Sequence, residues 1–345
     1  MTNTVGKLIL TFTTIGGALF GTSAFSHTTA TCSSLKRPFV RNFVKYGDTK
    51  LYAEGGAPQY DKIDAVLRQA EVVGDGSVML HIDTTTSIEY EPGHVLALEI
   101  KGNDDDDIDS KTADDMKNNR GWMRGPYTVS RSTEKSLDVL LKVVGDKSKR
   151  FASAKPGTAL KFGGKFKVPI IEGIANGENV KRVVLLSTGV GVGPCIGAIE
   201  KVLLEGSEDF ANFPTVELYA SYRTEREIVY KDHLDTLQNE HPERFLWKAI
   251  VSSESGRISS NEENLNCLFS SAFARDSSLH DTHYHLIGNG QMVNEFKAGL
   301  AKAGVPDDKV TTEMYFNHKA PVNDSVVDRI ANAVTAGCSE AVASS

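Results

Sequence analysis

The chain has 345 residues, is 40% hydrophobic and 24% charged, and carries a formal net charge of −7. This is the composition of a globular protein long enough for two separate cores, and it argues against a disordered or fibrous chain. Four scattered cysteines (Cys32, Cys195, Cys267 and Cys338) lack paired spacing, which argues against a disulfide framework or a zinc site and for a reducing compartment. The first 47 residues hold five of the 38 cations and none of the 45 acids, so the remainder is more acidic than the whole, at −12. An acidic body of that kind is not a general nucleic-acid binder.

Lys7 precedes the apolar run "LILTFTTIGGALF", which is short for a bilayer span and ends in the small residues "GTSA". Residues 1–24 therefore read as a signal peptide, and 25–50, rich in Ser, Thr, Lys and Arg, as a transit peptide. The pair resembles the bipartite plastid presequence of algae with secondary plastids, in which a phenylalanine, here Phe25, follows the cleavage site. Import into the plastid stroma is the expectation; a plain secretory signal leading to the endomembrane lumen or outside, or a basic arm, is the alternative. No other stretch approaches the length of a membrane span, so the mature chain is expected to be soluble.

From about Lys62 to Val168, six short segments rich in branched residues alternate with turn signals such as "GDGS", "EPG" and "KPG". That pattern predicts a small antiparallel β-barrel, assigned to residues 51–178. The polar run 103–119, "NDDDDIDSKTADDMKNN", interrupts it as a solvated loop; its spacing lacks the glycine and terminal glutamate of a calcium loop. After "IANGENVKR" the texture changes. The continuous apolar run "VVLLS" opens an alternation of strands and helices, which predicts a parallel α/β domain over 179–319. Residues 320–345 read as one extra helix with a frayed end.

Two stretches carry the chemistry. "GWMRGPYTVSRS", Gly121 to Ser132, presents a cation, an aromatic and a row of hydroxyls on one β-like segment, as a flat ring with a phosphate tail would need. The same letters are also ordinary strand composition. "STGVGVGP", Ser187 to Pro194, lies between a buried strand and a helix, where glycines let backbone amides approach a phosphate.

In this order, "RGPYTVS", "GDKS" with "KPG", "TGVGVGP", "SSESGRI", and "GNGQMV" with "TEMYF" resemble the ferredoxin–NADP reductase family, its bacterial ferredoxin/flavodoxin branch in particular, over residues 60 to 317. The resemblance implies an FAD-dependent enzyme that passes hydride between NADP(H) and flavin and exchanges electrons with ferredoxin or flavodoxin. It implies that Tyr127 contacts the flavin, Arg124 its pyrophosphate, and Thr128 and Ser130 the hydroxyl positions, with Thr128 beside the ring nitrogen that exchanges hydride. Gly145 and Ser148 match the family's pyrophosphate turn. Thr188, Gly189 and Gly191 would face the pyridine nucleotide's pyrophosphate, Gly288 and Met292 would line its nicotinamide end, and Glu313 would sit near the nicotinamide as a catalytic acid beside Thr128. Arg223, Arg257 and, in place of a further family arginine, Ser253 would meet the adenosine-ribose phosphate.

Three departures from the family pattern stand out. Arg124 lies three residues before Tyr127 rather than two, Ile287 replaces a cysteine, and 29 residues follow Phe316 where many relatives end. A quinone or small-molecule reductase on the same scaffold, or a flavin-carrying docking subunit without turnover, is the alternative. Three further features stay outside this scheme. "HDTHYH" invites a metal but leads into a buried strand. Cys195 opens a helix, as a buried thiol or a stabilised thiolate. Lys142, Lys147, Lys149, Arg150, Lys155, Lys161, Lys165 and Lys167 form a basic cluster that suits either an acidic carrier or the FAD pyrophosphate.

Overall fold

The computed structural model describes residues 60–102, 113, 114, 116, 117, 120–167, 169–171, 180–204, 213–275 and 277–343. The signal and transit segments, most of the acidic insertion, and residues 172–179, where the boundary between the halves was expected, lie outside the described residues.

Seven strands form the first half: β1 (Ile63–Gly74), β2 (Ser77–Thr84), β3 (Val95–Lys101), β4 (Trp122–Thr128), β5 (Arg131–Ser132), β6 (Ser136–Lys142) and β7 (Ala159–Gly163). Their pairing is antiparallel in the order β4-β3-β7-β1-β2-β6-β5, a half-barrel rather than a flat sheet with a partner. Alternation sends Leu67, Leu80, Ile82, Leu96, Leu98, Ile100, Val139, Leu141, Leu160 and Phe162 into one core. A seven-residue helix, α1 (Asp146–Ala152), caps that core with the fully buried Phe151. Of this helix only Ser148 and Phe151 are buried.

The second half is a parallel sheet in the order β10-β9-β8-β11-β12, with β8 (Arg182–Thr188), β9 (Thr215–Tyr222), β10 (Phe245–Val251), β11 (Thr282–Asn289) and β12 (Val310–Phe316). Helices α2 (Val192–Leu204) and α3 (Lys231–Glu240) supply buried side chains to a core on one face. On the other lie α4 (Glu262–Phe269), α5 (Gly290–Lys302) and α6 (Asp324–Ala343). Helix α6 is the expected C-terminal extension, and it inserts Val326, Ile330 and Val334 between Phe269 of α4 and Phe296 of α5. Under the sheet, the buried Arg182 guanidinium donates to both oxygens of Glu217, at 2.6 and 2.9 Å, and Tyr219 donates to the same carboxylate.

The strand order reverses between β8 and β11, and such switch points open a crevice at the carboxyl ends of the strands. The two halves touch through α2. Gly193 and Gly197 face Ser130, and a Cβ at Gly197 would overlap the Ser130 carbonyl oxygen. Met79 and Leu140 of the half-barrel join the core of the second half. Among the described residues, no helix is long and apolar enough to cross a membrane.

Candidate functional site

At the switch point the chain leaves β8 at Thr188 and makes a tight turn, Gly189–Gly191, into α2. Gly189 has φ +53 and open space where a side chain would stand, so the turn exposes backbone to a cleft. That cleft is a cavity of about 710 Å³. Of the residues expected to hold the nucleotide, Thr188, Gly189, Arg223, Arg257 and Met292 line it. Gly191 packs below the turn against the Ile287 carbonyl, and Gly288, at φ +120, lies against Thr188. Thr188 is a brace as much as a contact, since its hydroxyl accepts the Asn289 N–H at 2.7 Å. Ser253 is exposed and lies outside the lining; Ser252 takes its place. Arg257 is exposed and bonds Gln291 at 3.2 Å, so its guanidinium is presented rather than buried. Phe316, half exposed, also lines the cavity.

A second cluster joins the two halves. The Thr128 hydroxyl, at the end of β4, donates to the Glu313 carboxylate of β12 at 2.6 Å, and both side chains are buried. Burial holds the Glu313 carboxyl above its usual range, against the pull of Lys167 and the Thr128 bond. Lys167 sits close by, donating to the Thr312 carbonyl at 3.1 Å. Burial likewise raises the Tyr315 phenol, which bonds Thr128. Ile287, the residue paired with Glu313 across β11 and β12, is fully buried. Cys195 is fully buried with a raised thiol pKa, so it is a packed thiol and not a stabilised thiolate. Ser130 does not face this cluster: its hydroxyl accepts the Leu140 N–H at 3.2 Å and serves the contact with α2.

On the outer face of the half-barrel the spacing of Arg124 and Tyr127 has a consequence. β4 pairs with β3 in unbroken register, so residues three apart point to opposite faces. Arg124 and Thr128 share the outer face. Tyr127 turns inward with Leu96 and packs edge-on against Phe151 at 5.4 Å. The outer face instead carries Tyr60, with the Arg124 guanidinium 4.8 Å over its ring, and Phe166 edge-on to Tyr60 at 5.6 Å. Beneath them Glu99 is buried, bonded to Lys62 at 2.8 Å, with Arg124 3.9 Å away and its Oε1 without a hydrogen-bond partner. Gly145 caps α1 with open space at its Cβ, and the Ser148 hydroxyl accepts the Val144 and Gly145 N–H groups. Lys147 reaches back to the Arg124 carbonyl at 2.9 Å, which brings the α1 turn beside Arg124.

The basic cluster does not form one surface. Lys142 lines the cavity beside Gly189, Lys167 faces β12, Lys161 stands over Trp122 and pairs with Asp64, and Lys165 lies over Tyr90. His283 and His285 both bond the Thr311 hydroxyl, at 2.9 and 2.8 Å, and burial lowers their pKa values to about 4 and about 3. Sequence reading missed Tyr60 and Glu99, since each belongs to an unremarkable stretch and only the pairing of distant strands places it; it named Lys142 within the basic cluster but not at this cavity.

Residues 185–297 match the oxidoreductase NAD-binding domain family. A curated relative, nitrate reductase [NADH] of Volvox carteri, is 29% identical over an alignment of 158 residues that covers 40% of this chain and only 18% of that protein. Two solved structures share the architecture. A ferredoxin–NADP+ reductase from Neisseria gonorrhoeae with bound FAD and NADP has a TM-score of 0.59 and 18% identity over 74% of this chain and 99% of that one. A ferredoxin–NADP+ reductase from Plasmodium falciparum has a TM-score of 0.55 and 15% identity over 74% and 96%. The chain therefore has the two-part fold of the ferredoxin–NADP+ reductases, an antiparallel half-barrel followed by a parallel α/β half that matches an oxidoreductase NAD-binding domain.

Proposed function

We propose that the chain is an FAD-dependent oxidoreductase that passes hydride between NADP(H) and flavin and exchanges electrons with a small carrier such as ferredoxin or flavodoxin. The Thr128–Glu313 bond carries this reading, because it brings the hydroxyl expected beside the flavin and the acid expected beside the nicotinamide together at the junction of the two halves.

The residues fit both cofactors. The open turn at Gly189, the cavity beside it and two exposed arginines suit a dinucleotide with an extra phosphate. On the half-barrel, Arg124, Lys147 and the open Gly145 turn suit a pyrophosphate. Tyr127, turned inward, supports the fold there, and Tyr60 is the aromatic available on the outer face. When bound, flavin supplies the link between two-electron and one-electron chemistry. The protein orients and insulates: Glu313, its carboxyl pKa raised by burial, stands at the junction and accepts the Thr128 hydroxyl, which fixes its orientation there. Tyr315, packed beside Thr128, excludes water there.

The test is anaerobic. The purified chain should be yellow with one FAD, bleach with NADPH, and recover colour on addition of oxidised ferredoxin. A colourless folded protein would remove the whole reading. Arg257→Ala should raise KM for NADPH about tenfold and leave that for NADH nearly unchanged. The sequence likeness to an NADH nitrate reductase favours a second reading, in which NADH is the donor and the chain serves a different acceptor. A better KM for NADH in the unmodified protein would decide for it. We further propose that residues 1–50 address the chain to a plastid stroma. A fluorescent protein carrying them should enter an algal plastid, and Phe25→Ala should leave it outside; secretion of the wild-type fusion would show a plain signal peptide.

A further inference from the structure

The turn between β1 and β2 reaches across to the second half. The Asp75 N–H donates to the Arg226 carbonyl at 2.9 Å, and Gly74 lies so near the Glu227 carbonyl that a Cβ would meet it at 3.2 Å. Beside this turn, Lys142 at the end of β6 donates from Nζ to the Asp75 carbonyl at 2.7 Å and stands 3.4 Å from Glu227 Oε1. The other oxygen of Glu227 accepts the backbone N–H of Arg223 at 3.1 Å. One carboxylate thus ties a half-barrel lysine to the loop that carries a nucleotide-site arginine. Lys142, Arg223, Glu227 and Arg257 all line the same cavity.

We propose that Lys142 is a specificity-determining residue of the nucleotide site: it binds the phosphate on the adenosine ribose from the opposite half of the molecule, with Glu227 as the anion it releases. The proposal rests on the assignment of this cavity to a pyridine nucleotide. An ammonium has three donors, and here one goes to Asp75 and a second to Glu227 at a distance longer than a good hydrogen bond. A phosphate dianion entering beside Arg223 and Arg257 offers that ammonium a stronger acceptor than a single carboxylate. Glu227 also repels the same dianion, so the lysine's charge decides whether the cavity accepts it. A nucleotide without the phosphate meets neither effect, and the first half thereby reads which nucleotide the second half holds.

Calorimetry on the full chain tests this with adenosine 2′,5′-bisphosphate and AMP as probes. Lys142→Ala should weaken the bisphosphate about tenfold and leave AMP within about twofold, with Lys142→Arg restoring most of the loss. Glu227→Gln should tighten the bisphosphate several-fold, leave AMP unchanged, and carry the test should Lys142→Ala not fold. Equal losses for both probes in Lys142→Ala would make the lysine a mere clamp on the loop and overturn the proposal, as would no gain in Glu227→Gln. If the unmodified protein binds neither probe, the nucleotide assignment itself fails. If it binds both equally, only the phosphate subsite fails.

Discussion

Glu313 is a buried carboxyl whose surroundings raise its pKa, and that has a measurable cost. Its folded pKa lies above the ordinary carboxylate value of about 4.3, so the stability it permits is fully present below that value and is lost as pH rises through the folded pKa. Glu313→Gln keeps an oxygen for the Thr128 hydroxyl and removes the titration. Denaturant midpoints of the two proteins should coincide at acid pH. Above it the variant should gain by up to about 1.4 kcal/mol for each pH unit between the unfolded and folded pKa. A constant difference across pH would show that Glu313 is ionised in the fold. His283 and His285 work in the opposite direction. Their pKa values, lowered by burial to about 4 and about 3, leave stability intact above about 6.5 and drain it as pH falls toward those values. The two effects oppose one another between about 4.3 and about 6.5, and His283→Gln should flatten the acid limb.

At the scale of elements, the contact between α2 and the β4–β5 corner sets the distance between the halves. It depends on two missing side chains rather than on a bond. Gly193 and Gly197 stand one turn apart on α2, and both meet Ser130. Overpacking in a tight contact costs about 1–3 kcal/mol, and a Cβ at Gly197 would press first on the Ser130 backbone and then on the Pro92 ring. The variant should unfold at lower denaturant and, because the contact lies beside Thr128, should lose hydride transfer more than nucleotide affinity. Stopped-flow reduction beside a binding isotherm separates the two; a full loss of affinity with normal chemistry would place the damage in the α/β half alone. This contact also shows where sequence reading stops. "GVGVGPCIG" is legible as a strand–turn–helix glycine stretch, and its first glycine lines the cavity at a positive φ. Gly193 and Gly197 look the same in the sequence, yet they answer to Ser130, about sixty residues away, which no local pattern reveals. Arg124 and Tyr127 teach the converse. Their three-residue spacing already contains the opposite-face geometry, since alternation alone separates them once β4 is continuous.

Over the whole molecule, the order of half-barrel and α/β sheet follows from hydrophobic periodicity, because each half buries its own core. The surface does not follow in the same way. Eight nearby cations in the sequence become separate duties once the strands curl, with Lys142 on the nucleotide cavity, Lys167 on β12, and Lys161 and Lys165 over aromatic rings. The carrier proposed above would have to approach the half-barrel without displacing the second half. The cations that remain for it lie near α1, where Lys149 is 68% exposed and holds Asp146 only at 3.8 Å, and where Lys155 is exposed. Val144, 78% exposed, adds an apolar patch next to them. Exposed charges of this kind steer encounter more than they hold a complex, and salt screens them over roughly 10 Å. Changing Lys149 and Lys155 together to Glu should therefore raise KM for an acidic ferredoxin several-fold at low salt, with the difference closing as salt increases. Turnover with ferricyanide, a small acceptor with no docking surface to match, should stay near the wild-type rate. Equal losses with both acceptors would assign these lysines to the FAD or the fold, and no loss with ferredoxin would move the carrier to another face.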